Sequence, residues 1–213
     1  MGNLKIKSSG VSKGGLKFRR NLSIEWNSVL LSSENILGSE GKLEKAIIFG
    51  DPHAINSSSA IQDVEFSYYA TCSANVVSST GRQHKAVNGP FFKSGYPSLS
   101  EEEQKLFSLG SWIPNLPTEG SMFVELDDLT PDVVYEIRCI FADEKCKGSN
   151  KMLLLPGEHE FGGGNIVIGR FTAPEKLVKI EIKSLDNRQP YINSIIVRSV
   201  DYAARIKSIV RLS

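Results

Sequence analysis

Nine consecutive residues, Val133 to Phe141, constrain the fold most. Val133, Tyr135, Ile137, Cys139 and Phe141 fall on one face, against Val134, Glu136, Arg138 and Ile140 on the other. A period of two fits a pleated strand and not a helix, because successive strand side chains point to opposite sides. The same period sets Val178, Ile180 and Ile182 against Lys179, Glu181 and Lys183, one buried face and one wet face. Met122 to Asp128, Asn165 to Thr172 and Leu177 to Lys183 are further extended runs, with Pro131 and Pro174 in the turns. Tyr191 to Val200 carries aliphatics on both sides and is expected in the middle of a sheet. The fold class read from these runs is all-β and antiparallel.

The first half carries weaker signals. Ala46 to Phe49 and Val64 to Ala70 read as strands around a Ser-rich loop at Asn56 to Ser59. Leu4 to Lys7, Leu16 to Arg19 and Trp26 to Leu31 are fainter candidates, and Trp26 is assigned to the core. Glu101 to Ser108 is the one expected helix. Ser100 supplies the N-cap, Glu103 the capping-box partner, Glu101 and Glu102 suit the dipole, and Leu99 and Leu106 give an apolar line. Three segments result: an N-terminal arm or edge strands over 1–45, a sandwich over 46–200, and a tail over 201–213 that reads equally as helix or strand. The arm's glycine-flanked runs bury little by themselves, so order there requires a sheet edge. That edge belongs either to the same chain or to a neighbour, and the second case makes the arm an oligomerisation device.

With 40% apolar and 23% charged residues and a net charge of +1, the chain is neither a disordered tail nor a strongly basic nucleic-acid binder. No apolar run reaches the roughly 20 residues of a membrane span. The first 20 residues are basic and broken by Gly10, Gly14 and Gly15, without the apolar block of a signal peptide. Ile6 stands where myristoylation needs Ser or Thr. Cys72, Cys139 and Cys146 are odd in number and lack CxxC spacing, which reads as reduced thiols; a Cys139–Cys146 pair is the alternative.

Candidate chemistry is sparse. There is no G-x-S-x-G elbow, and His53, His84 and His159 fall in expected loops. His53 follows Asp51 in a Gly-Asp-Pro-His turn. His159 lies between Glu158 and Glu160, whose side chains alternate away from it in an extended chain, so no metal site is expected. The pairs Asp127/Asp128 and Asp143/Glu144 are sequence neighbours, which cannot face each other across a glycosidic bond. Gly162 to Gly164 lacks the Lys-Ser/Thr ending and following helix of a phosphate loop and reads as a hairpin loop. Lys13 to Arg20 reads as a solvated or interface face. Asn21-Leu-Ser23 and Asn56-Ser-Ser58 match a glycosylation sequon, with meaning only in a secretory eukaryotic context.

Several short motifs lie in a recognisable order: Gly50-Asp-Pro-His-Ala-Ile-Asn56, Lys85-Ala-Val-Asn-Gly-Pro-Phe-Phe92, the Ser98 to Gly110 helix, Leu129-Thr-Pro-Asp-Val-Val-Tyr-Glu-Ile137, Ala142-Asp-Glu-Lys-Cys-Lys-Gly148, Val167-Ile-Gly-Arg-Phe-Thr-Ala173 and Tyr191-Ile-Asn-Ser-Ile-Ile-Val197. From Ala46 to Val200 the chain resembles the jelly-roll, galactose-binding-like and malectin-like modules of secreted proteins from planctomycete- and verrucomicrobia-type bacteria. The resemblance implies a jelly-roll β-sandwich, an extracellular or surface setting, and a non-catalytic, carbohydrate-binding role. A structural or adhesion component of a virion, phage tail or surface layer is the alternative, and a polysaccharide-active enzyme ranks last. Partners would be a glycan or other subunits of an assembly.

Sugar rings stack their C–H faces on aromatics while their hydroxyls need polar rim groups. Trp112, in a segment with two prolines, and Tyr96 are the loop aromatics that answer this, and Asp143, Lys145, Asp186, Asn187 and Arg188 are the rim candidates. No catalytic residue and no cofactor is expected. A structural calcium, where present, would sit near Asp143 or Asp186.

Overall fold

The computed structural model describes residues 21–38, 40–55, 57–69, 75–77, 83–85, 87–89, 96–112, 121–143, 151–186 and 189–200. In chain order the elements are β1 (Glu25–Leu30), α1 (Ser33–Ile36), β2 (Lys42–Phe49), β3 (Ala60–Ile61), β4 (Val64–Glu65), β5 (Ser67–Tyr69), β6 (Asn75–Val77), β7 (Gln83–Lys85), β8 (Val87–Gly89), α2 (Glu101–Leu106), β9 (Gly110–Trp112), β10 (Ser121–Leu126), β11 (Val134–Phe141), β12 (Met152–Leu155), β13 (His159–Phe161), β14 (Asn165–Thr172), β15 (Val178–Ser184), β16 (Tyr191–Ile192) and β17 (Ser194–Val200). A six-stranded sheet runs β1-β14-β11-β17-β2-β5 and a four-stranded sheet runs β10-β15-β12-β13. The chain is an all-β sandwich.

The alternation of β11 explains the layering. Tyr135, Ile137, Cys139 and Phe141, with Val167 and Phe171 of β14 and Ile195 and Val197 of β17, face Met122, Val124, Leu154, Ile180 and Ile182 of the smaller sheet. This is the core between the sheets, and stacked sheets bury alternate residues in this way. The opposite face is also partly covered. Ile140, Ile166, Ile196, Ala46 and Ile48 pack beneath Ile36, Phe66, Tyr96, Leu106, Phe107 and Leu109. The six-stranded sheet is therefore buried on both faces near its middle, which is why β17 lacks a polar side there. β17 lies between β11 and β2, the central place its composition required.

Helix α2 ends two residues earlier than expected, with the capping box of Ser100 and Glu103 formed and Leu106 buried. Residues 25–30 form an edge strand paired along its length with β14 of the same chain, and β2 starts at Lys42. The sandwich thus reaches back well before Ala46. Leu4 to Lys7, Leu16 to Arg19 and the tail over 201–213 lie outside the described residues. Trp26 packs against the first core over Gly169, and its indole N–H donates to the Pro156 carbonyl at 2.7 Å.

Several expectations need correction. Val64 to Ala70 is not one strand: β4 pairs with β3, while β5 runs parallel to β2, so the sandwich is not purely antiparallel. His159 is not in a loop but opens β13. The run Met152 to Leu155 hid β12 because both of its alternating sets are apolar. Gly162 to Gly164 is not a hairpin loop; it carries the chain from β13 in the smaller sheet to β14 in the larger one. Gly164 adopts φ +82° there, and its N–H donates to the Phe141 carbonyl at 2.7 Å.

Cys139 is a free thiol buried near the end of β11, and Cys146 lies outside the described residues. Burial pushes the Cys139 pKa up to about 12. The neutral form is favoured by folding, so stability is full below the ordinary value of 9.0 and falls as pH rises from there toward about 12. A thiol reagent at pH 8 should label Cys139 only after unfolding, a result peptide mass spectrometry would read; rapid native labelling would contradict the burial.

Candidate functional site

Phe141 closes β11 against Phe161, with ring centroids 4.4 Å apart, and edge-on against Tyr191 at 5.9 Å. Register gathers the neighbouring loops at this end. Tyr191 lies opposite Trp112, Met152 lies opposite both Phe161 and Ser184, and the Phe49 N–H donates to the Asn193 carbonyl. Asp143 follows β11 by two residues, Asp186 follows β15 by two, and Asp51 follows β2 by two. With Trp112 at the end of β9, they stand at one end of the sandwich.

Trp112 is half-buried, rests on the first core, and is held between Tyr191 and Val87 by strand pairing. Asp186 accepts the Lys151 N–H through Oδ2 at 3.1 Å, and its Oδ1 is enclosed without a hydrogen-bond donor among the described residues. Asp143 is buried beneath the rim. Tyr96 is not a rim aromatic: it is 3% exposed in the second core, its ring over Gly164, and offers no face to a sugar. Lys145, Asn187 and Arg188 lie outside the described residues.

An aromatic pair that sequence reasoning passed over stands at the same end. Tyr68 is 41% exposed, and the His53 ring meets it edge-on at 6.0 Å. Asp51 accepts the His53 backbone N–H at 2.9 Å, so it caps the turn rather than setting the imidazole tautomer. The signal was available in the pairing of β5 to β2, which no local pattern announces.

A second feature lies on the outer face of the six-stranded sheet, beyond the part covered by the second core. Pairing aligns Glu25, Arg170, Glu136 and Arg198 in one row across β1, β14, β11 and β17. The Glu136 carboxylate, 2% exposed, accepts Arg138 Nε at 2.9 Å on Oε1 and Arg170 Nε at 3.0 Å on Oε2. Arg138 Nη1 also donates to the Asn35 carbonyl at 2.7 Å, and Arg198 donates to the Leu37 and Gly41 carbonyls. The arginines so pin the connection between α1 and β2. A cleft of ≈ 410 Å³ opens beside them, lined by Glu25, Asn27, Glu136, Arg138, Ile168 and Arg170.

Across the seam between the sheets, Ser28 Oγ and His159 Nε2 are hydrogen-bonded at 2.6 Å, and burial lowers the His159 pKa. Among the described residues no group of three His, Cys, Asp or Glu side chains could hold a metal ion. None of the described helices is long and apolar enough to cross a membrane.

No family model and no curated protein matches the chain. Among solved structures there is similarity to BtGH115A, a family GH115 4-O-methyl-alpha-glucuronidase with specificity for decorated arabinogalactans, at 13% identity and a TM-score of 0.28. The overlap covers 44% of this chain and spans only 15% of that one, too slight to transfer a fold or an activity.

Proposed function

We propose that the protein is a non-catalytic carbohydrate-binding module, of jelly-roll, galactose-binding-like type, whose ligand docks at the Trp112 end of the sandwich. The observation that supports this is the gathering there of Trp112, the exposed Tyr68–His53 pair and the Asp51 carboxylate on loops fixed by the two sheets, with Asp143 and Asp186 bracing the loops beneath. Aromatic faces and carboxylate acceptors are what a polyhydroxylated ring needs. Because strand pairing holds the platform, little ordering entropy opposes binding.

A glycan array with wild-type protein, Trp112→Ala and Tyr68→Ala tests the reading. A defined glycan should be retained by the wild type and weakened about tenfold by loss of one stacking face. Silence of the wild type on all glycans overturns the binding role, and turnover of a polysaccharide overturns its non-catalytic character.

A further inference from the structure

We infer that the outer-face cleft over β1, β14 and β11 is a second ligand site, built for a neutral saccharide ring. It shares the ligand class proposed above and none of its residues. Ile168 lies on the cleft floor between Asn27 of β1 and Arg138 of β11, its direct neighbours across the sheet. One row along, Arg170 lies between Glu25 and Glu136 in the same way. A half-buried aliphatic floor with amide, guanidinium and carboxylate groups around it meets both sides of a sugar: C–H face below, hydroxyls at the rim.

The charges select the ligand. Glu25 and Glu136 balance Arg138 and Arg170 among the lining residues, and Glu40 pairs with the same Arg170 at 3.0 Å, so the cleft offers donors and acceptors without a net positive field for an anion. Arg170 is the more exposed of the two guanidinium groups, its side chain 37% exposed, and Glu136 and Glu40 together hold its Nη2. Burying Glu136 brings no general stability advantage over apolar residues of the same volume. What it does here is hold two guanidinium groups still beside the Ile168 floor, which is the preorganisation a binding site needs. The volume of ≈ 410 Å³ suits one or two sugar rings.

Backbone amide NMR with methyl glycosides of galactose, glucose and mannose, and with glucuronate and galacturonate, tests the site. At least one neutral glycoside, at up to about 10 mM, should shift the Asn27, Ile168 and Arg170 amides. Asn27→Trp fills the cleft from an exposed strand position that tolerates the ring, and should abolish those shifts with the circular dichroism intact. Shifts at Trp112 with silence at these three residues retire the cleft and keep the loop-end reading. Shifts here with silence at Trp112 do the reverse. Tighter binding of the uronates, or cleft shifts that survive Asn27→Trp, overturn the assignment.

Discussion

Asn193→Leu should lower stability by about 3–5 kcal/mol, the lower part of the range for stranding three buried backbone groups at roughly 1–3 kcal/mol each. Asn193 is fully buried between β16 and β17. Its Oδ1 accepts the Ala142 N–H at 2.7 Å, and its Nδ2 donates to the carbonyls of Phe107 and Leu109, both at 2.8 Å. One amide thus joins the end of β11 to the segment leaving α2. Leucine has a similar volume and meets none of the three. For a domain of this size the melting temperature should fall by about 10 °C. Asn193→Asp keeps the acceptor and turns the donor against two carbonyls, so it should be as damaging at neutral pH. Burial disfavours the ionised form, so the aspartate variant should recover some stability as pH falls toward about 4. A denaturation midpoint equal to wild type in either variant would remove Asn193 from this role.

Glu136→Leu should cost about 3 kcal/mol, because it leaves Arg138 and Arg170 facing a buried apolar group. The figure sits at the low end for a broken buried pair, since the Arg170 side chain is 37% exposed and water screens it. Replacing the Arg170 partner as well, in Glu136→Leu/Arg170→Leu, should return part of the loss. Arg138 would remain bonded to the Asn35 carbonyl in both variants. Urea midpoints across this cycle check the coupling; a silent single variant would show that the network carries no stability. The same single variant leaves Arg170 held by Glu40 alone, so it should also weaken the cleft's response to glycosides.

The strands of the second half were legible because each buries one face and its residues advertise it. Val134–Phe141, Asn165–Thr172 and Val178–Ser184 lie within a residue of their expected spans. The helix was legible from its cap alone. What escaped were β12 and the split of Val64 to Ala70 into β4 and a parallel β5, features that rest on pairing partners far away in sequence. The motifs behind the resemblance are largely architectural. Tyr135 accepts the Thr130 N–H at 2.9 Å through its hydroxyl and stacks on Phe171, so the Leu-Thr-Pro run closes a turn. Tyr191 and Asn193 are core residues. Tyr96 was misplaced for the same reason: a tyrosine beside Gly and Pro looks like a loop platform, whereas its neighbours Leu99, Leu106 and Phe107 draw it inward. The charged row on the outer face could not be read at all, because it exists only across four strands.

The two-sided burial of β17 has a consequence for assembly of the sheet. In a strand with one wet face, sliding by a single residue would throw its apolar set into water and so is self-correcting. Ile195, Ile196 and Val197 would bury almost as well in either frame. Discrimination between frames must come from groups that fit only one of them, and Ser194, donating to the Ile47 carbonyl at 2.8 Å beside the satisfied Asn193 amide, is such a group. The two polar residues at the start of the strand thus act as its index mark, fixing where the count begins for every pair that follows.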